Sequence, residues 1–278
     1  MIFISRDNPG RLGNRLFLYH FLRQLAQAGG SDYSQPRLEN AKYFSDMEAW
    51  GQRPHFWTKR LRLDPRLISG QAPAELLKTV KAAIASGRPV EIKPPVLGES
   101  FFAYCFADPN DFVKIKAEHQ DLKLPAGDDV INIGLHFRGG DFAAWDTQAI
   151  LPADYYISAL QSCLTESASR KIYLHIFTDD EKLESYIKTK EFIGGLSVAD
   201  VSYGDRQGEP IRDLYRMSQC DILISSPSTF AIWGGILGRR KRIIHSRVWL
   251  DYAIAKSDRF WQELAAGGNE YYKLWKTF

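Results

Sequence analysis

Three short apolar runs each break off in a polar turn and are each followed by a helical stretch: VINIGLHF from Val130, KIYLHIF from Lys171 and DILIS from Asp221. Alternation of strand and helix at this spacing restricts the fold to a parallel sheet with right-handed crossovers. Parallel strands all end on one edge. The loops HFRGGD (136–141), TDDE (178–181) and SSPST (225–229) are therefore expected on a common edge despite their separation in sequence. Ligands of open α/β sheets bind at that edge. The run from Val130 to Leu135 is rich in β-branched residues, which suits a strand buried on both faces.

The chemistry of the three loops agrees. Ser225, Ser226, Ser228 and Thr229 place hydroxyls around the N-terminus of a helix, FAIWGGILG, where the dipole favours an anion. Arg138 is a multi-donor cation suited to phosphate oxygens. Asp179 or Asp180 can accept from a ribose hydroxyl or from base N–H groups. Together these describe a nucleoside diphosphate site. Each residue alone has a plainer explanation. Ser228, Thr229 or Asp180 can be helix caps, Arg138 can clamp Asp141 across the glycine turn, and His136 can be a satisfied histidine at a strand end. Convergence on one edge is what favours the site.

Upstream, Ile2 to Ser5 is an apolar run, followed by the turn-rich segment 6–14 and a helix from Arg15 to Ala28 that Gly29-Gly30 ends. His20 lies inside that helix and reads as core. A second helix is expected over Ala74–Ser86, with short strands at Val90–Lys93 and Phe101–Phe106. The polar segment 124–129 is expected to separate an N-terminal domain, 1–126, from a C-terminal one, 127–278. Within the latter, further helices are expected over 152–167 and 211–218, and strands over 196–201 and 242–245. The aromatic segment 257–278 is expected to be a helix docked back on the protein.

At 278 residues, 45% hydrophobic and 25% charged, the chain has the balance of a globular protein. A net charge of +3 falls short of a nucleic-acid footprint. Cys105, Cys163 and Cys220 are odd in number and lack CxxC spacing, so they are expected as free thiols in a reducing cytoplasm. No HxxxH or HExxH occurs, so no metal is expected. There is no secretory leader pattern and no run approaching a membrane span. Arg239-Arg240-Lys241-Arg242 reads first as a solvated turn after a helix. A second reading is weak contact with an anionic membrane carrying a lipid-linked acceptor.

Six segments in order resemble the α-1,2-fucosyltransferases of glycosyltransferase family 11, a group that shares motifs with the α-1,6- and protein O-fucosyltransferases. The family's GGLGNQ-type motif is similar to Gly10-Arg11-Leu12-Gly13-Asn14-Arg15, and its H-x-R-R-G-D to His136-Phe137-Arg138-Gly139-Gly140-Asp141. D-Y-Y resembles Asp154-Tyr155-Tyr156, and F-S-D-D resembles Phe177-Thr178-Asp179-Asp180. D-L-x-x-M-S-x-C resembles residues 213–220, and the serine-rich loop before W-W-G resembles Ser225 to Gly234. The departures are Arg15, Gly139 and Ile232.

The resemblance implies a GT-B-like α/β fold with two Rossmann-like domains facing across a cleft, the N-terminal one on the acceptor side. It implies an inverting transfer of fucose from GDP-fucose to a glycan hydroxyl, α-1,2 and in surface polysaccharide synthesis, with no required metal or other cofactor. Arg138 would hold the β-phosphate and stabilise the departing GDP. Gly13 and Asn14 would reach the phosphates or the fucose, His136 and Asp141 would shape the nucleotide pocket, and Ser226, Ser228 and Thr229 would bind phosphate. Asp7 and Asp141 are the candidates for the base. The competing readings are a transferase with another donor, including a metal-dependent GT-A enzyme using Asp179-Asp180, and a non-catalytic sugar-nucleotide or glycan binder.

Overall fold

In the computed structural model the β-branched runs form parallel strands and the amphipathic stretches form the helices between them. The structure describes residues 1–4, 10–34, 39–45, 47, 59–64, 72–93, 108–120, 123–204, 209–238, 242–256, 258, 261–262 and 275–277. The chain divides into two compact units, Met1–Lys116 with Asp258–Lys273, and Ala117–Ser257 with Leu274–Phe278. Among the described residues no helix is long and apolar enough to cross a membrane.

The first unit contains β1 (Ile2–Ile4), α1 (Leu12–Gly29), β2 (Tyr33–Ser34), β3 (Leu61–Leu63), α2 (Pro73–Ala85), β4 (Val90–Ile92) and the short α3 (Pro109–Phe112). Its strands are all parallel, in the order β2-β1-β4-β3. Leu18, Phe21, Leu22 and Leu25 recur at helical spacing along α1 and bury against Ile2, Ile4, Val90 and Ile92. α1 ends as its glycines require. Gly30 adopts φ 64, and the Ser31 amide bonds back to the Ala26 carbonyl at 2.9 Å. His20 is buried in this helix beside Phe112. α1 begins at Leu12, three residues before the expected start, so Gly13 and Asn14 occupy its first turn rather than a loop. Arg11 stands at the N-cap, its carbonyl accepting from the Arg15 amide at 3.2 Å, and Gly10 before it adopts φ 98.

The second unit contains β5 (Val130–Phe137), α4 (Phe142–Trp145), α5 (Ala153–Glu166), β6 (Lys171–Thr178), α6 (Glu184–Gly194) and β7 (Asp200–Tyr203). It continues with α7 (Pro210–Gln219), β8 (Ile222–Ser225), α8 (Thr229–Ile236), β9 (Arg242–His245), α9 (Arg247–Ala255) and β10 (Trp275–Thr277). All six strands are parallel, in the order β10-β9-β8-β5-β6-β7. The chain builds outward from β5 through β6 and β7, then returns to β5's other side for β8, β9 and β10. The switch point of this doubly wound sheet therefore lies between β5 and β8. Every residue of β5 after Val130 is buried, as its unbroken apolar run requires. Cys163 and Cys220 are buried free thiols, and Cys105 lies outside the described residues.

Two expectations are corrected, and one helix is added. Segment 257–278 is not one helix, because Trp275–Thr277 is a strand that pairs with β9 from Trp275↔Ile243. β9 would otherwise leave an open row of backbone donors and acceptors, and β10 fills it. β7 starts at Asp200, four residues later than expected, because its register is set by Tyr173↔Asp200 on β6. α9 was not anticipated, although Ser246 caps it by accepting from the Trp249 amide at 3.3 Å. The expected strand at Phe101–Phe106 lies outside the described residues.

α8 packs closely because it carries Gly234-Gly235. A Cβ on Gly234 would sit 2.8 Å from Met217 Cβ on α7, and one on Gly235 would sit 1.8 Å from Ile243 Cδ1 on β9. Gly235→Ala must displace the Ile243 side chain, Cγ1 as well as Cδ1, in a buried layer. We expect it to destabilise the protein by about 1–3 kcal/mol. The check is urea unfolding, with a lowered midpoint and an unchanged slope.

Candidate functional site

The register of β5 decides what meets at the sheet edge. His136 pairs with Phe177 on β6 and with Ser225 on β8, so the loops that follow these strands leave the sheet side by side. Across the switch point, His136 Nδ1 lies 2.7 Å from Ser226 Oγ, and the Ser226 amide donates to the His136 carbonyl at 3.1 Å. The serine loop is thus fastened to β5 by both backbone and side chain. Burial, and secondarily the charge of Arg138, hold the His136 pKa down to about 3, so the ring is neutral at neutral pH. Within the loop, Ser225 Oγ donates to the Ser226 carbonyl at 2.6 Å. Ser228 is buried at the N-cap position of α8 without making a side-chain capping bond, and Thr229 opens the helix half-buried. Amides of the first turn of a helix lack intrahelical partners, which is the usual basis for holding an anion there.

Arg138 stands at the end of β5 with its side chain 10% exposed. One guanidinium nitrogen lies 2.6 Å from Asp141 Oδ1 and the other 2.6 Å from Asp179 Oδ2, while the plane covers the Phe142 ring at 5.2 Å. The second oxygen of Asp179 accepts from the Gly139 amide at 3.0 Å. One carboxylate therefore fixes both the arginine and the turn that carries it.

The two glycines make this close approach achievable. A Cβ on Gly139 would meet Asp180 Cβ at 2.9 Å, and one on Gly140, where φ is +23, would meet Asp179 Oδ2 at 2.6 Å. Gly139 stands where the resembling motif has its second arginine, and here Asp180 takes that space. Asp180 itself accepts from the Lys182 amide at 2.9 Å, and its own amide donates to Thr178 Oγ1 at 3.1 Å. It shapes a turn and does not cap a helix, because α6 begins only at Glu184.

His136, Arg138, Asp141, Asp179, Ser225, Ser226, Ser228 and Thr229 thus all lie on the C-terminal edge of the second unit's sheet. Gly13 and Asn14 belong to the first unit, where the Asn14 side chain lies against Gly10. Asp7, Arg239, Arg240 and Lys241 lie outside the described residues. Arg242 opens β9 and is ion-paired with Glu166, its Nη2 3.3 Å from Glu166 Oε1. Among the described residues no group of three or more His, Cys, Asp or Glu side chains is arranged to hold a metal ion.

Two contributors escaped the sequence reading. The buried Tyr155 hydroxyl shares its proton between the Ser225 carbonyl at 3.0 Å and the Ile244 carbonyl at 2.9 Å, which ties the serine loop to β9. Its signal was the D-Y-Y segment, read as a motif without a role. Phe142 supports the guanidinium, and its signal was an aromatic residue directly after the GGD turn.

No family model and no curated protein matches the sequence. Among solved structures, a mutant of Arabidopsis thaliana FUT1 in complex with GDP is similar with a TM-score of 0.54, covering 87% of this chain and 69% of that one at 11% identity. POFUT1 in complex with GDP gives a TM-score of 0.54, covering 87% of this chain and 96% of that one at 10% identity. POFUT1 in complex with GDP-fucose gives 0.54 with the same coverage and identity. The fold of this chain, two α/β units each built on a parallel sheet, is GT-B-like.

Proposed function

We propose that the chain is an inverting glycosyltransferase that moves fucose from GDP-fucose to a hydroxyl of a glycan acceptor. The linkage we propose is α-1,2 and the setting surface polysaccharide synthesis; both rest on the sequence resemblance. The observation that carries the reading is Arg138, a fixed cation held at the switch-point edge beside a serine-rich loop that opens a helix. That pairing suits a diphosphate. The similarity to fucosyltransferase structures holding GDP and GDP-fucose supports guanosine diphosphate as the nucleotide.

In the proposed step the acceptor hydroxyl attacks the anomeric carbon from the face opposite the leaving group. Its proton passes to a carboxylate base, and the bond from the anomeric carbon to the phosphate oxygen breaks. The electron pair leaves on the β-phosphate of GDP, where Arg138 stabilises the growing charge. No metal is required, since a guanidinium and helix amides take that role. Asp141 is one candidate base, although its Oδ1 is engaged by Arg138; Asp7 is the other. The roles of Gly13, Asn14 and Asp7 rest on the resemblance.

The test is calorimetric titration of the metal-free protein with GDP, GDP-fucose, GDP-mannose and UDP-galactose. The reading expects GDP and GDP-fucose to bind and UDP-galactose not to. Equal affinity for GDP-mannose would widen the donor range. Absence of binding to any guanine nucleotide would sink the reading. A transferase with a different donor would then be favoured by UDP-galactose binding, and a metal-dependent one by binding that appears only with added manganese. Nucleotide binding without transfer to any acceptor would favour a non-catalytic binder.

A further inference from the structure

The turn that carries Arg138 continues into a ladder of aromatic rings. Phe142, beneath the guanidinium, meets Trp145 edge-on at 5.0 Å, and Trp145 meets Trp249 of α9 at 6.0 Å. Trp249 is buried and in turn packs on Tyr252 at 5.5 Å. The far end is polar. The Tyr252 hydroxyl and the Lys256 ammonium both donate to Asp146, each at 3.0 Å from Oδ2, and Oδ1 also accepts from the Gln148 amide at 3.0 Å. Along the ladder Trp249 is buried and Phe142 and Tyr252 are half-buried, whereas Trp145 is 57% exposed.

The indole touches two rings and presents more than half its surface to water, and burial against a ligand would remove that apolar surface from water. Its two ring contacts already restrict its rotamers, so a ligand would have less to order.

The surroundings select the ligand. The exposed charges on the turn before Trp145 and on α9, which carries Trp249, are of both signs: Asp141 and Asp251 against Arg247 and Lys256. A bilayer would favour a rim of cations, and a protein interface core would be depleted of charge. A flat apolar ring bordered by mixed hydrogen-bonding groups instead matches a pyranose, which has an apolar C–H face and a rim of hydroxyls. The position agrees. Two steps of 5.2 and 5.0 Å lead from the guanidinium to the exposed indole, within reach of a sugar that attacks at a diphosphate held by Arg138.

We propose that Trp145 is a stacking platform for a pyranose ring of the acceptor glycan, with Asp146 and Lys256 at its rim. This deepens the glycosyltransferase reading and rests on it for the word acceptor. The stacking itself does not need a nucleotide, and that separates the two tests.

The experiment is saturation-transfer-difference NMR with millimolar lactose, cellobiose and N-acetyllactosamine, without nucleotide, on wild type, Trp145→Ala and Trp145→Phe. GDP is titrated into the same proteins separately. At least one disaccharide should show transfer to its ring C–H protons with wild type. That signal should fall about fivefold in Trp145→Ala and be partly kept in Trp145→Phe, with GDP affinity unchanged in both. No transfer from any of the three disaccharides, or transfer that Trp145→Ala leaves intact, would overturn the platform. Loss of GDP affinity in Trp145→Ala would also overturn it, because the indole would then serve the nucleotide, by stacking the base or by bracing Phe142 beneath Arg138. Failure of wild type to bind GDP would count against the donor reading alone.

Discussion

Replacing Arg138 by alanine is expected to weaken GDP binding about 100-fold, roughly 3 kcal/mol. Two effects add. The phosphates lose a forked, charge-assisted donor, and Asp141 and Asp179, which the guanidinium now holds at 2.6 Å, become uncompensated negative charges beside them. Any transfer rate should fall further, by about 100- to 1000-fold, because the charge on the departing diphosphate is greatest in the transition state. Lysine should recover only part of this. It restores the charge but not the planar fork that spans two carboxylates now and would span two phosphate oxygens with ligand. Calorimetry on wild type, Arg138→Ala and Arg138→Lys, with a thermal melt of each, makes the check. Equal GDP affinity in all three would remove Arg138 from the nucleotide site and leave it as a clamp for the turn.

The second large effect is acid sensitivity. His136, His175 and His245 are buried, and burial is the first cause holding their pKa values at about 3, about 4 and about 3. For His136 the charge of Arg138 adds to it, and for His175 that of Arg216. The bonding around His175 shows what a second proton would disturb. Its Nε2 faces the Asn132 amide oxygen at 2.9 Å, which can only accept. Nε2 therefore carries the hydrogen, and Nδ1 accepts from Ser202 Oγ at 2.7 Å. Ser202 in turn accepts from Arg216 at 2.8 Å.

A histidine whose folded pKa lies below its unfolded value binds more protons when unfolded. Its contribution is whole above pH 6.5 and is lost as pH falls from about 6.5 toward the folded value. Each of the three should cost on the order of 1–2 kcal/mol by pH 5, a large share of an ordinary domain's stability when summed. Urea unfolding at pH 7 and pH 5 should therefore show a clear drop in midpoint. His175→Gln, which keeps an acceptor and a donor without titrating, should reduce that drop. An unchanged midpoint between the two pH values would contradict burial of neutral imidazoles.

The readable parts of this protein are those that local chemistry specifies. Apolar, β-branched runs gave β5, β6, β8 and β9 nearly to the residue, and the 3.6-residue stripe with its terminal glycines gave α1 and α2. Short strands were less legible. β2, β3 and β10 have two or three residues, too few for a period, and unlike the equally short but central and buried β1 and β4 they lie at sheet edges, set by the neighbour each pairs with. α9 has a Ser246 cap and a buried stripe of Trp249, Leu250 and Ala253, but at nine residues it is too short for that stripe to stand out as a helical period.

The same division runs through the site. From sequence alone it followed that the HFRGGD, TDDE and SSPST loops share an edge, because parallel strands with helical crossovers must end together. Strand order did not follow, since a β-α-β unit can add on either side of its predecessor. Only the tertiary structure put β8 beside β5, and with it Ser226 within 2.7 Å of His136. It also decided that Asp179, 41 residues beyond Arg138, locks that arginine and that turn, and that Gly140 makes room for it as Gly139 does for Asp180. Residue types and turns are fixed by neighbours along the chain. Partners dozens of residues apart are fixed by which strands pair, and that is settled by the packing of the whole sheet.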